Sequence, residues 1–329
     1  MTLHRRRLLR LAAAAVAAPA LPRPALAQAQ GWPSRVVRLV VGFPPGGGAD
    51  SAARIAANRL SELWGQQVVV ENKAGAGGNI AHDTVAKAPP DGNTILFSPG
   101  SLPIMPQLYA QLSYDPNGDF IPISLIGRYP NLIVVPKSST TTTLKDFIAK
   151  AQANPGKVTY ATPGIGTTPH LTAELFKSMT KIDMTHVPYR GVAAGAMSDL
   201  MTNRIDSMFN TTGSLLQAVR SGQVLGLAAS TPQRSPLAPE IPTFAEAGVP
   251  GFNVSSWYGL FAPVKTPREI VQKMHDSVAT MLTEGPVKAK YELLGVEAAS
   301  GTPEEVTRLM RAEIELWTPI IKAANIKGE

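Results

Sequence analysis

Three times along this chain a short β-rich run stops at a glycine-bearing turn and gives way to a helical run. Residues 35–41 read as a buried first strand, Phe43-Pro44-Pro45-Gly46-Gly47-Gly48 ends it, and Ala52, Ile55, Ala56, Leu60 and Leu63 recur at helical spacing over 49–63. A second strand over 67–71 meets Asn72-Lys73-Ala74-Gly75-Ala76-Gly77-Gly78 before another helix, and a third over 94–97 ends at Ser98-Pro99-Gly100. A strand over 158–161 then runs into the turn from Thr162 to His170, ahead of a helix over 171–180. Further strands are predicted over 131–135, 184–187, 205–209, 224–229 and 257–262, and helices over 144–153, 194–201, 267–282 and 303–323. Thr266-Pro267 and Thr302-Pro303 read as helix starts, a capping hydroxyl followed by proline at the first helical position. Such alternation predicts an α/β fold, with mostly parallel sheets flanked by helices.

The turns carry the functional signal. A helix N-terminus exposes unpaired backbone N–H groups and the positive end of the helix dipole. Glycine lets the backbone approach a ligand closely, and in open α/β sheets such loops lie at the carboxyl ends of strands, where ligands bind. Three of them make a receptor for a carboxylate or other small anion. The candidate contacts are Pro44, Gly46, Gly47 and Asp50, then Ala76, Gly77, Gly78 and Asn79, then Thr162, Gly166, Thr167, Thr168 and His170. Charged side chains are few among them, so recognition would rest on amides and hydroxyls. That suits reversible binding, because a desolvated ion pair is costly to form.

Composition narrows the class further. Cysteine is absent, which excludes disulfides, thiolate metal sites, cysteine nucleophiles and a lipid-anchored cysteine. Residues 1–27 read as a signal peptide: Arg5-Arg6-Arg7, the alanine-rich run 12–18, and a small-x-small site at Ala25-Leu26-Ala27. The apolar run is far short of the ~20 residues that span a bilayer. His4-Arg5-Arg6-Arg7-Leu8-Leu9-Arg10 fits a twin-arginine signal as well as a general secretory one, and the choice stays open. Without the leader arginines 5, 6, 7, 10 and 23, the 31 basic residues fall to 26 against 24 acidic ones, and no basic stripe suggests nucleic acid. Gly46-Gly47-Gly48 lacks the Lys-Ser/Thr ending of a nucleotide phosphate loop, and no dinucleotide fingerprint, Gly-x-Ser-x-Gly elbow or His-Glu-x-x-His is present. His82, His170, His186 and His275 have no metal-ligand spacing. No metal, cofactor or catalytic set is expected, and a lone histidine such as His170 is as readily structural as a ligand contact.

In this order, Phe43-Pro44-Pro45-Gly46-Gly47-Gly48-Ala49-Asp50, Val69-Val70-Glu71-Asn72-Lys73-Ala74-Gly75-Ala76-Gly77-Gly78, Pro90-Asp91-Gly92-Asn93-Thr94, Tyr114-Asp115-Pro116, His186-Val187-Pro188-Tyr189-Arg190-Gly191 and Pro242-Thr243-Phe244-Ala245-Glu246 give the chain a family likeness. It resembles the substrate-binding proteins of tripartite tricarboxylate transporters, the Bug or TctC family, from Trp32-Pro33 to the end. The resemblance implies a two-lobe periplasmic binding protein of the Venus flytrap type, type II-like. One lobe would comprise 31–126 with 231–329, the other 127–230, and a ligand carboxylate would lie between them. It further implies that Phe43 and Ser98 join the first wall, while Tyr189, Gly191 and Asp206 join the second. Asn203-Arg204 stands where the family often has Gly-Gly, Val192-Ala193-Ala194-Gly195 lacks the frequent Pro-Ala, and Thr162-Pro163-Gly164 replaces Gly-Ser-x-Gly. These departures bear on ligand identity, and Arg204 reads as a solvated surface residue or a second carboxylate contact.

The expected function is therefore that of a periplasmic solute receptor, not an enzyme. It would capture a di- or tricarboxylate, an acidic amino acid or an aromatic acid for a membrane permease. A receptor reporting to a membrane sensor kinase is the alternative, and a periplasmic enzyme on the same scaffold is disfavoured for want of a nucleophile–base set.

Overall fold

The alternation of strands and helices resolves into two sheets. The computed structural model describes residues 31–189 and 195–328; the expected leader and the 190–194 segment lie outside them. One sheet contains β1 (Val37–Val41), β2 (Val68–Asn72), β3 (Thr94–Pro99), β4 (Phe120–Tyr129), β10 (Ser256–Pro263) and β11 (Glu297–Gly301) in the order β11-β4-β10-β3-β1-β2. The other contains β5 (Asn131–Pro136), β6 (Thr159–Thr162), β7 (Thr185–Pro188), β8 (Ser207–Thr211) and β9 (Val224–Ala229) in the order β7-β6-β8-β5-β9. Among the described residues the helices are α1 (Gly48–Trp64), α2 (Asn79–Ala86), α3 (Met105–Leu108), α4 (Leu144–Ala153), α5 (Thr168–Thr180), α6 (Gly195–Met201), α7 (Thr212–Arg220), α8 (Arg268–Thr283), α9 (Gly285–Leu293) and α10 (Pro303–Ala323). None is long and apolar enough to cross a membrane.

The sheets are mixed rather than mostly parallel. β1 pairs in parallel with β2 and β3, and β6 with β7 and β8. Every antiparallel pair includes β4, β5 or β10. Those strands adjoin the two places where the chain changes sheet, so they return along a sheet rather than crossing over a helix as parallel neighbours must. The parallel strands read as near-continuous apolar runs because helices cover both faces: Val37, Leu39, Val40 and Val41 are fully buried.

The two passages between sheets are tied to each other. Ser230 donates its N–H to the Asn131 carbonyl at 2.9 Å, accepts the Asn131 N–H on its hydroxyl at 2.9 Å, and donates that hydroxyl to the Val254 carbonyl at 2.7 Å. The Asn131 side-chain amide then donates to Thr172 Oγ1 at 2.8 Å and Ser256 Oγ at 3.0 Å, linking α5 of the second sheet to β10 of the first.

Helix starts follow the sequence unevenly. At α10, Thr302 and Glu305 form the reciprocal capping box with Pro303 behind it, as expected. At α8 the expectation fails: Pro267 itself is the cap residue, with ψ 137°, and the Thr266 hydroxyl finds no partner. The helix begins a residue too late for that hydroxyl to reach its first N–H groups.

Helix α10 also joins the two cores. Val306 and Met310 pack with Trp257, Phe261 and Leu96 on the first sheet, whereas Trp317 and Ile321 pack with the Phe176, Phe209 and Phe244 core of the second. Between them Glu313 is buried and accepts indole N–H groups from Trp257 at 2.8 Å and from Trp317 at 2.5 Å. Burial raises the Glu313 carboxyl to about 7, against the two indole bonds, which favour the carboxylate. A folded-state value above the unfolded one makes the proton stabilising. That stability is complete below the ordinary carboxyl value of 4.5 and is lost as pH rises through about 7. Thermal melts of Glu313→Gln should therefore change less than those of the wild type between about pH 5 and 8; parallel slopes would show that Glu313 does not titrate in this range.

Candidate functional site

A helix whose first residue has a side-chain cap has one N–H fewer to offer a ligand. Here α4 and α10 are capped by Thr143 and Thr302, while α1, α5 and α7 start at Gly47, Thr167 and Thr211 with no side-chain cap bond. The Thr167 hydroxyl donates backward to the Gly164 carbonyl at 2.7 Å, and that of Thr211 is engaged with Ser214 Oγ at 3.1 Å. These three starts, among the several helix starts without a side-chain cap, meet at one cavity open to solvent: Gly47 and Gly48 line it from α1, Thr167 and Thr168 from α5, Thr211 and Ser214 from α7. The first comes from the six-stranded sheet and the other two from the five-stranded sheet, so the cavity lies between them.

A hydroxyl chain runs beneath these termini. Thr168 is hydrogen-bonded to Tyr129, Tyr129 to Tyr258, and Tyr258 to Thr211. Thr211 meets Ser214, whose oxygen accepts the Gly48 N–H at 3.3 Å. The Tyr129 and Tyr258 rings are stacked with centroids 4.3 Å apart. Burial pushes both phenols above their ordinary pKa, so they remain neutral donors. Among the described residues no Lys, Arg, Asp or Glu lines the cavity. Its polar side consists of helix termini and hydroxyls.

Several residues singled out from the sequence converge there. Phe43, Pro44, Gly47, Thr167 and Thr168 line the cavity. The others support or adjoin it. Gly46, at φ +81°, donates its N–H to Asp50 Oδ2 at 2.9 Å. The Asp50 carboxylate is buried and also accepts Arg54 Nε at 2.9 Å and Asn72 Nδ2 at 2.8 Å, so it braces the first turn from behind. Burial raises its pKa, but the bonds from Arg54, Gly46 and Asn72 outweigh burial and hold it below the ordinary value. In the second turn Ala76, Gly77 and Gly78 all take positive φ, and a Cβ on Gly77 would stand 3.3 Å from the Ile165 carbonyl in the third turn. Asn79 accepts the Tyr114 hydroxyl, and Ser98 is held by His82 Nε2 at 3.1 Å. Ala76, Gly77, Gly78, Asn79 and Ser98 are outside the cavity lining.

The third turn is held from below by two histidines. Gly166 donates its N–H to His170 Nδ1 at 3.2 Å, and Thr162 Oγ1 contacts His186 Nε2 at 2.7 Å. The two rings stack 4.2 Å apart, and burial lowers both to about 3, so both are neutral at ordinary pH. An acceptor Nδ1 puts the His170 proton on Nε2. His170 is thus a brace for the turn and not part of the lining. Tyr189 donates its hydroxyl to Asp199 at 2.7 Å, and Gly191 lies outside the described residues.

Asp206 does not reach the cavity. It precedes β8, whose far end carries the cavity residues Asn210 and Thr211, and it accepts Lys150 Nζ at 2.6 Å and the Thr159 N–H at 2.9 Å. Arg204 pairs with Asp199 at the surface. Sequence reading missed Tyr129, Tyr258, Asn210, Thr211 and Ser214, all in the lining. Asn210-Thr211-Thr212-Gly213-Ser214 did carry a signal, hydroxyls and a glycine directly after a β-rich run. The tyrosines are interior strand residues with no local signature.

Among the described residues no group of three or more His, Cys, Asp or Glu is placed to hold a metal. Two substitutions test the geometry. A Cβ on Gly48 would stand 2.7 Å from Thr211 Oγ1, so Gly48→Ala should weaken carboxylate binding about tenfold through overpacking between the walls; unchanged affinity would mean the walls do not approach in the bound state. Asp50→Ala should lower stability by about 2 kcal/mol through the lost charged hydrogen bonds, and weaken amino acids and simple diacids alike. A loss confined to amino acids would instead make Asp50 a direct contact.

Comparison with known proteins shows the family. Residues 52–326 match the family described as TctC, tripartite tricarboxylate transporter family receptor. An R. palustris protein solved with adipate superposes with a TM-score of 0.86 at 39% identity, covering 90% of this chain and 99% of that one. The periplasmic binding protein BugD gives 0.84 at 32% over 90% and 99% of the two chains. MatC from Rhodopseudomonas palustris, solved with malate, gives 0.81 at 31% over 88% and 100%. The chain belongs to the TctC, or Bug, family of periplasmic solute-binding proteins, the receptors of tripartite tricarboxylate transporters.

Proposed function

We propose that this protein is the receptor that captures a small carboxylate in the cavity between its two sheets and delivers it to a tripartite tricarboxylate-type permease. The observation that carries this reading is the convergence of the starts of α1, α5 and α7 on one cavity whose described lining holds no charged side chain. A carboxylate there accepts N–H groups from both walls and sits at the positive ends of three helix dipoles. Adipate and malate in two similar structures support the ligand class.

The lobes we propose are 31–126 with 231–329, and 127–230, the latter holding all five strands of the five-stranded sheet. The Asn131–Ser230–Val254 bonds tie the connecting segments at the hinge. A ligand held by both walls binds the closed arrangement better and shifts the population toward it. The signal-like N-terminus supports export to the periplasm. The hydroxyls that face buried histidines, Ser98 on His82 and Thr162 on His186, lie outside the cavity lining, which supports a receptor over an enzyme.

A thermal-shift screen across mono-, di- and tricarboxylates, aromatic acids and amino acids tests the proposal. A true ligand at 100 times its Kd stabilises the protein by about 2.7 kcal/mol and is recovered chemically unchanged. No stabilisation by any acid, or recovery of a converted product, would overturn it.

A further inference from the structure

The two walls touch each other directly at the foot of α7. Thr212 and Gly213 open that helix but stand outside the cavity lining, between its members Thr211 and Ser214. A Cβ on Gly213 would stand 3.1 Å from the Leu294 carbonyl oxygen and 3.4 Å from Gly48 Cα. A Cβ on Gly295 would stand 2.2 Å from Thr212 Cγ2 and 2.8 Å from Thr212 Cβ. Gly48 begins α1, and Leu294 and Gly295 lie between α9 and β11, so all three belong to the wall of the six-stranded sheet. The start of α7, from the other wall, is seated among them with no room for a methyl group on either glycine.

This seat is tied to a passage between the sheets. The Pro130 carbonyl, between β4 and β5, accepts both the Thr212 N–H at 3.1 Å and the Thr212 hydroxyl at 2.7 Å. Thr212 is fully buried there. Packed interiors do not absorb an added methyl group without moving their parts. Volume added beside the passage would turn one wall against the other and widen the cavity that Gly48 and Thr211 line. Helix formation gives no reason for a glycine at 213. The residue lies within α7 and its φ is not positive, so alanine would be the better helix former. The close approach of Leu294 and Gly48 does give a reason.

Building on the two-lobe reading above, we infer that Gly213 and Gly295 are positioning residues of a closing stop. Contact between the walls themselves, at the foot of α7, sets how far the lobes close. The stop therefore scales the affinity for every acid alike and does not choose among them, since neither glycine lines the cavity.

Gly213→Ala tests the stop, because helix propensity alone predicts a protein that binds as before. The chain has no cysteine, so dyes on Asn58→Cys in α1 and Gln152→Cys in α4, both exposed and one in each lobe, report lobe separation by single-molecule energy transfer. The expected result is a distribution of transfer efficiencies displaced toward separation, with and without acid present. Adipate and malate should both bind about tenfold more weakly, by the same factor. Thr212→Ser keeps the hydroxyl for Pro130 and removes Cγ2, so it should displace the distribution the opposite way. Unchanged efficiencies in Gly213→Ala, or displacement of both variants in one direction, would overturn the stop. A loss confined to one acid would also overturn it, by making Gly213 act on the ligand. If neither acid binds the wild type, the receptor reading fails for these acids, and the transfer efficiencies alone decide for or against the stop.

Discussion

The first turn of an α-helix must place its N–H groups somewhere, and the starts of α1, α5 and α7 all lie in the lining of a single cavity. None is capped by its own first side chain: Thr167 points back to Gly164, Thr211 is engaged with Ser214, and Gly47 has no side chain at all, while the Gly48 N–H goes to Ser214 Oγ across the walls and the Thr212 N–H to the Pro130 carbonyl. Much of the surrounding architecture follows from keeping those three starts together. Gly48 is glycine because α1 comes close enough to Thr211 that a methyl group would collide. Asp50, buried and bonded to Gly46, Arg54 and Asn72, holds the turn that brings α1 there. His170 and His186, neutral and stacked, do the same for the turn before α5. Holding an anion, as proposed, with helix starts instead of lysine or arginine would avoid desolvating a fixed cation each time the site fills, which suits a receptor that must release what it captures.

Such a site needs two walls that can separate without coming apart. The strands that pass between sheets are bonded to each other through Asn131, Ser230 and Val254, and α10 lays Val306 and Met310 on one core and Trp317 and Ile321 on the other. Glu313, between those two pairs, fixes both tryptophans. The lobe motion proposed above would have to be accommodated beside this buried contact.

Most of this was legible in the sequence where local chemistry dictates structure. The strand–turn–helix units at 43–48 and 162–170 have apolar runs, glycines and helical spacing that admit few alternatives, and both supply walls of the cavity. What could not be read depends on contacts between distant segments. Tyr129 and Tyr258 become part of the floor only because β4 and β10 pair and aim both rings to one end of the sheet. Asp50 and Asp206 are acids in plausible places, yet each is satisfied by its own neighbours, and burial is not visible in a string of letters. The helix over 212–220 is hard to read from sequence because Thr212 and Gly213 are weak helix formers. Likewise, the mixed character of the sheets follows from where the chain changes sheet, a matter of topology rather than of local propensity.

Backbone amide spectroscopy puts the convergence of the three helix starts to the most direct test. In an assigned ¹H–¹⁵N spectrum, saturating carboxylate should shift the amides of Ala49, Thr168 and Ser214, in the first turns of α1, α5 and α7, together, with one shared dissociation constant. Shifts confined to the residues of one sheet, or none at any of the three, would mean that the helix starts do not hold a common ligand.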